Sequence, residues 1–127
     1  MERQLVPAKS SFAKRVGYSR AVRVGNHVFV AGTAPVMADG STPPLDAREQ
    51  AERCLEILVS ALRELGAEPA HVVRTRIYLV DPMDIDEVGE AHGRVFRDVK
   101  PATTAIVVKE LLDPAWLVEI EAEAIVP

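Results

Sequence analysis

Residues 117–126 constrain this chain more than any other segment. Val118, Ile120, Ala122 and Ala124 alternate there with Glu119, Glu121 and Glu123. A period of two belongs to a β-strand with one buried face. Three carboxylates in a row cannot enter an apolar core unpaired, so the opposite face must stay wet or meet cations. The dry face needs a cover, and residues 47–65 supply it. No Gly or Pro interrupts them, and Ala51, Leu55, Leu58, Leu62 and Leu65 recur at helical spacing. Asp46 stands at the N-cap with Glu49 three residues on, and Gly66 fits the position just past the end.

The remaining segments assemble around that pair. Residues 1–17 are mixed and show no clear period. Residues 19–24 and 27–31 read as short strands, joined tightly at Gly25-Asn26, which tolerate positive φ. Residues 32–44 are rich in Gly, Pro, Asp and Ser and read as a loop. Residues 72–80 alternate, with Val73, Thr75, Ile77 and Leu79 on one face and Arg74, Arg76 and Tyr78 on the other; Asp81-Pro82 ends the strand. A second helix is expected over about 84–97, with Ile85, Val88, Ala91, Val95 and Phe96 inward, and a further strand over 103–109. The order is ββαβαββ. Both helices must cover one face of one sheet, which gives a two-layer α+β fold in a single domain spanning 1–127.

The wet face would carry Arg74, Arg76, Tyr78, Glu119, Glu121 and Glu123, mixed with Val72, Val80 and Ile125. Such a face can simply be solvated. Its blend of opposite charges and aliphatic groups also suits a second packing surface, and a homo-oligomer covering it is the preferred reading.

Composition limits the function classes. Fifteen basic against nineteen acidic residues leave a net charge of −4, which does not suit a dedicated nucleic-acid binder. Aromatic residues are only 5%, too few for a base-stacking platform. No apolar run reaches the roughly 18–20 residues of a membrane span, and the first residues lack an apolar signal segment. The one cysteine, Cys54, rules out an intrachain disulfide. With three scattered histidines it offers too few ligands for a zinc-thiolate site. The expectation is a cytoplasmic protein without metal, cofactor, nucleic-acid or membrane partner.

Three segments carry candidate chemistry. Gly32-Thr33-Ala34-Pro35 ends a strand and opens a loop, a place where backbone N–H groups often meet ligands, although an ordinary turn reads the same way. Pro101-Ala102-Thr103-Thr104-Ala105 precedes an apolar strand, and its adjacent hydroxyls must point to opposite faces. Glu119 could activate water if partly buried, or could merely pair with a strand arginine. Cys54 lies beside the apolar stripe and reads as an inert core thiol. Of His27, His71 and His92, only the mid-helix His92 is placed to look into a cleft, although a solvated or core histidine reads the same way.

Together these segments resemble the Rid family, also called YjgF or L-PSP, from about Gly17 to Ile125. The resemblance rests on Gly17-Tyr18-Ser19, on the run from Gly25-Asn26-His27 through Gly32-Thr33-Ala34-Pro35, on Pro101-Ala102-Thr103-Thr104-Ala105, and on Val118-Glu119-Ile120-Glu121-Ala122. It implies a chorismate-mutase-like fold and a homotrimer with small-metabolite clefts between subunits. It further implies cofactor-free hydrolysis of imines and enamines such as 2-aminoacrylate; some members are called endoribonucleases. By resemblance, Glu119 would hold the attacking water, and Tyr18, Gly32, Thr33, Thr103 and Ala105 would line the ligand site. The chain departs from the deaminase branch at Thr103, where that branch has a carboxylate-gripping arginine. It departs again at Ala105, often cysteine in the family, and at Gly89, where the second helix carries an asparagine. Arg20, Arg94 and Arg97 are the cations that could replace the lost charge.

Overall fold

The computed structural model describes residues 2–127. Its centre is a six-stranded mixed sheet in the order β1-β2-β3-β6-β4-β5. The strands are β1 (Arg3–Pro7), β2 (Ser19–Val24), β3 (His27–Thr33), β4 (Val72–Leu79), β5 (Ala102–Val107) and β6 (Val118–Ile125). The helices are α1 (Ser11–Val16), α2 (Ala47–Glu64) and α3 (Ile85–Phe96). All strand pairs are antiparallel except β4 and β5, which α3 joins as a parallel crossover.

Strand β1 and helix α1 lie in the segment whose sequence shows no period. Only Val6 of β1 is buried, so one inward residue in five gives no alternation to read. Helix α1 is six residues long and is set by its ends. Ser10 Oγ accepts from the Ala13 amide at 3.1 Å, and Gly17 closes the helix at φ 86°. The order is therefore βαββαβαββ, with the expected seven elements intact inside it.

Both long helices cover one sheet face, and the core lies between the layers. Leu55, Leu58 and Leu62 of α2 and Val88, Ala91 and Phe96 of α3 pack on Val28, Val30, Ile77, Ile120 and Ala122. Asp46 caps α2 by accepting from the Arg48 and Glu49 amides. One expected face assignment is reversed. Val72 is buried and Val73 is 43% exposed, because a bulge between Val72 and Arg74 inserts one residue. One extra residue exchanges the faces on its far side. From Arg74 onward the expected alternation holds.

The end of α2 is fixed by a close packing of backbone and side chain. Gly66 has φ 80°, and Arg23 donates from Nη1 to the Leu65 carbonyl at 2.7 Å. A Cβ on Gly66 would stand 2.9 Å from that same nitrogen. Gly66→Ala thus combines a left-handed backbone with a steric conflict, and a loss of about 1–3 kcal/mol is expected. Urea unfolding checks this; an unchanged midpoint would mean that Arg23 moves aside freely.

Candidate functional site

The bulge between Val30 and Thr33 in β3 shapes the first half of the site. It brings the Gly32 backbone against Glu119 of β6, so that a Cβ on Gly32 would stand 3.1 Å from Glu119 Oε1. Glycine here is what lets the carboxylate lie over the strand end. Arg20 of β2 donates from Nη2 to the Gly32 carbonyl, while its Nε is buried without a partner. Tyr18 meets Phe12 edge-on and joins Arg20 in lining a groove of about 740 Å³ between the end of β1, the loop after β3 and α2.

Thr33 is placed differently from the resemblance-based expectation. The bulge turns its side chain into the core, opposite Ile120, where it is fully buried and donates to the Ala31 carbonyl at 2.8 Å. Its hydroxyl is committed within the strand, so any contribution of Thr33 to a ligand comes from its backbone.

Electrostatics single out Glu119. Burial holds its carboxyl above the ordinary range; nearby Arg20 pulls it down and Glu121 pushes it up. A carboxylate in that state is a stronger base than a solvated one. The neighbouring acids are occupied. Glu121 accepts from Tyr78 OH and pairs with Arg76 at 3.3 Å, and Arg76 also pairs with Glu123 at 3.4 Å. The charges of this sheet face therefore pair largely within the chain, leaving Glu119 facing Gly32 and Arg20. Cys54 is fully buried under it, its Sγ 3.8 Å from the Val118 carbonyl, and desolvation drives the thiol far up, as befits an inert core residue.

The second half of the site lies elsewhere. Thr103 and Ala105 are on β5, an edge strand whose six residues are all exposed. They stand in register with the buried Thr75 and Ile77, and so face the helix side of the sheet. Thr75 Oγ1 lies 2.8 Å from Thr103 Oγ1 and 2.9 Å from His92 Nε2 on α3. Sequence reasoning named His92 and Thr103 separately, and nothing in their spacing links them through Thr75. Glu119, Gly32, Arg20 and Tyr18 thus form one cluster, and Thr103, Thr75 and His92 another, beyond β4 on the other side of the sheet.

Of the three substitute cations, Arg94 is held by Glu52 at 3.2 Å and Glu90 at 3.1 Å. Arg97 folds back over Gly93, where a Cβ would meet its Nη2 at 3.2 Å. Arg20 is the one beside Glu119. A side chain at Gly89 would meet nothing within 4 Å, so that stretch of α3 faces open space. Among the described residues, no three His, Cys, Asp or Glu side chains converge as a metal site requires. No helix among them is long and apolar enough to cross a membrane.

Burial without a counter-charge lowers the His92 pKa below its ordinary 6.5. The unfolded chain therefore takes up this proton first as pH falls, and the protein loses stability from about pH 6.5 down through the folded pKa. Glu119 works in the opposite sense at lower pH, because its folded carboxyl protonates before the unfolded one. Melting temperature against pH should thus decline below neutrality. His92→Gln should flatten that decline, and an identical slope in the variant would remove His92 as its cause.

Sequence and fold comparisons agree with this architecture. The family model described as Endoribonuclease L-PSP matches residues 8–126. A RutC family protein of Pyrococcus abyssi is 37% identical over 108 residues, 84% of each chain. Protein DfrA of Myxococcus xanthus is 37% identical over 118 residues, 88% of each. The crystal structure of a YjgF/YER057c/UK114 family member from Mycobacterium tuberculosis superposes with a TM-score of 0.89 at 42% identity, covering 98% of this chain and all of that one. With the model matched nearly end to end and the whole sheet shared, the chain belongs to the Rid family, known equally as YjgF or L-PSP.

Proposed function

We propose that the protein is a homotrimer that binds a small metabolite in clefts between subunits and hydrolyses an imine, enamine or related labile C–N bond there. The observation that carries this reading is the separation of the two residue clusters. Glu119 lies on the sheet face away from the helices with Gly32 and Arg20 beside it, whereas Thr103 and Ala105 sit on an exposed edge strand facing the helix side. One chain does not bring them together, and a neighbour's β5 could complete the cleft of the next subunit. Ile106 at 46% and Val107 at 53% exposure leave an apolar edge that a neighbour would cover. Within the cleft, Glu119 would take a proton from water, and Tyr18, Gly32, the Thr33 backbone, Thr103 and Ala105 would border the ligand.

A second reading, a non-catalytic metabolite-binding or protein-interaction module, is favoured by one specific feature: Thr103 at the position of the arginine in deaminase members. The endoribonuclease reading draws less support, because Arg76 is already paired with Glu121 and Glu123 and the net charge is −4. Light scattering at micromolar concentration is expected to return three times the 13.9 kDa chain mass. A monomer would sink the shared cleft.

A further inference from the structure

The bulge in β3 leaves two residues out of the sheet pairing. Ala31 and Gly32 are in register with no residue of β2 or β6. Side chains take their carbonyls instead: the Thr33 hydroxyl donates to Ala31, and Nη2 of Arg20 donates to Gly32. The second bond is the unusual one. It draws the Arg20 guanidinium partly out of water and buries Nε without a partner. A neutral side chain would avoid that cost, so the charge itself needs an explanation.

The explanation lies beside Gly32. Its missing Cβ would stand 3.1 Å from Glu119 Oε1, and no ion pair joins Arg20 directly to Glu119 among the described residues. Cation and carboxylate therefore meet at one glycine without closing on each other. The other elements around Glu119 supply no second cation. On β6, Glu121 repels it. On β4, Tyr78 stands opposite Glu119 but donates to Glu121, and Arg76 is bound by Glu121 and Glu123. On α2, burial keeps the Cys54 thiol protonated, and Arg53 is tied to the Val36 carbonyl and to Glu56.

We infer that Arg20 is the positioning residue for Glu119, a cation seated on the Gly32 carbonyl so that its field reaches the carboxylate without occupying the carboxylate oxygens. A guanidinium fork closed on Glu119 would hold both oxygens and leave a poor base. Seated at the neighbouring peptide, the guanidinium favours the ionised carboxylate and leaves it free to take a proton from water. This role rests on the hydrolytic reading proposed above. Burial and Glu121 both disfavour the charged form of Glu119, and Arg20 is the charge that favours it.

The test follows the side-chain carboxyl carbon of Glu119 by NMR through a pH titration of the native protein and four variants. Arg20→Gln and the bulkier Arg20→Met remove the charge in two ways, and both should move the Glu119 midpoint to higher pH. Arg20→Lys keeps the charge on a more flexible stem and should return the midpoint most of the way to native. Arg53→Gln removes a cation that lines the same groove and should leave the midpoint in place. A change in packing or in net charge alone would not separate these variants. The pH profile of imine hydrolysis is the second readout, and its acid limb should move upward with Arg20→Gln in step with the titration. An unmoved midpoint in the two neutral variants, or the same rise in Arg20→Lys as in Arg20→Gln, would overturn the inference. A raised midpoint with no hydrolysis at any pH would keep Arg20 as the counter-charge of Glu119 and overturn the hydrolytic reading instead.

Discussion

Replacing Gln50 by leucine is expected to cost about 3 kcal/mol. Gln50 faces inward from the first turn of α2 and is 1% exposed. Its Nε2 donates to the carbonyls of Pro44 at 2.7 Å and Ala115 at 2.9 Å, and its Oε1 accepts from the Leu117 amide at 2.8 Å. One amide side chain thus ties the loop entering α2 to the loop entering β6. Leucine fills similar space and leaves two carbonyls and one N–H without partners. Unsatisfied buried groups cost about 1–3 kcal/mol each, the N–H being the more expensive. Relaxation of the loops toward water offsets part of that. Against a total stability of roughly 5–15 kcal/mol, the change should lower the melting temperature by about 10 °C.

Gln50→Glu sharpens the expectation. It keeps the acceptor for Leu117 but turns both donors into a carboxylate oxygen facing two carbonyls, and it buries a charge. It should therefore be no more stable than the leucine variant at neutral pH, although its shape is nearly native. Chemical unfolding of the three proteins, with hydrogen exchange at the Leu117 amide, reads both parts. A glutamate variant close to native would show that shape and not donation holds the two loops. Because Leu117 leads directly into Glu119, loss of this tie also loosens the candidate base.

Gln50 illustrates what the sequence could and could not reveal. Its position on the buried side of α2 follows from the leucine spacing, yet a polar residue there has no sequence signal naming its partners, which lie 65 and 67 residues away at Ala115 and Leu117. The layers and the two long helices were legible because each rests on a period repeated several times. Features resting on a single residue were not. One bulge exchanged Val72 and Val73, and another drew Thr33 into the core, since a local insertion leaves composition and period nearly unchanged. Strand β1 was hidden because an edge strand buries so little. For the candidate site, alternation alone placed Glu119 on the sheet face away from the helices. Its approach to Gly32 and Arg20, and the chain from His92 through Thr75 to Thr103, arise only when β2, β3 and β6, or β4, β5 and α3, are packed side by side.

The native protein is expected to hydrolyse freshly generated 2-aminoacrylate poorly, and Thr103→Arg to raise that rate by about 10–100-fold. In the proposed reaction the enamine first tautomerises to the imine, its methylene carbon gaining a proton as the amino nitrogen loses one; a water oxygen then attacks the imine carbon, a proton of the water passes to Glu119, and the nitrogen gains a proton as the C=N bond opens. Collapse of the resulting amino alcohol releases ammonia and leaves a carbonyl. The attack needs the imine held at a fixed angle to the water over Glu119, and a misplaced substrate loses most of that advantage. A guanidinium fork would fix the substrate carboxylate through charge-assisted bonds roughly twice as strong as neutral ones, a planar charged grip that a threonine hydroxyl does not offer. Ala105 and the open space at Gly89 remain unchanged in the variant, so the gain should be partial. Adding Glu119→Gln to Thr103→Arg should remove about 10²–10⁴ of the rate, the usual contribution of a positioned base. It should also raise the melting temperature slightly, because the folded environment disfavours the ionised carboxyl that glutamine replaces. A coupled assay of keto-acid formation separates the cases. Native turnover equal to that of an arginine-bearing relative would mean that the carboxylate finds another cation, with Arg20 the first to replace. Full activity without Glu119 would move the base elsewhere.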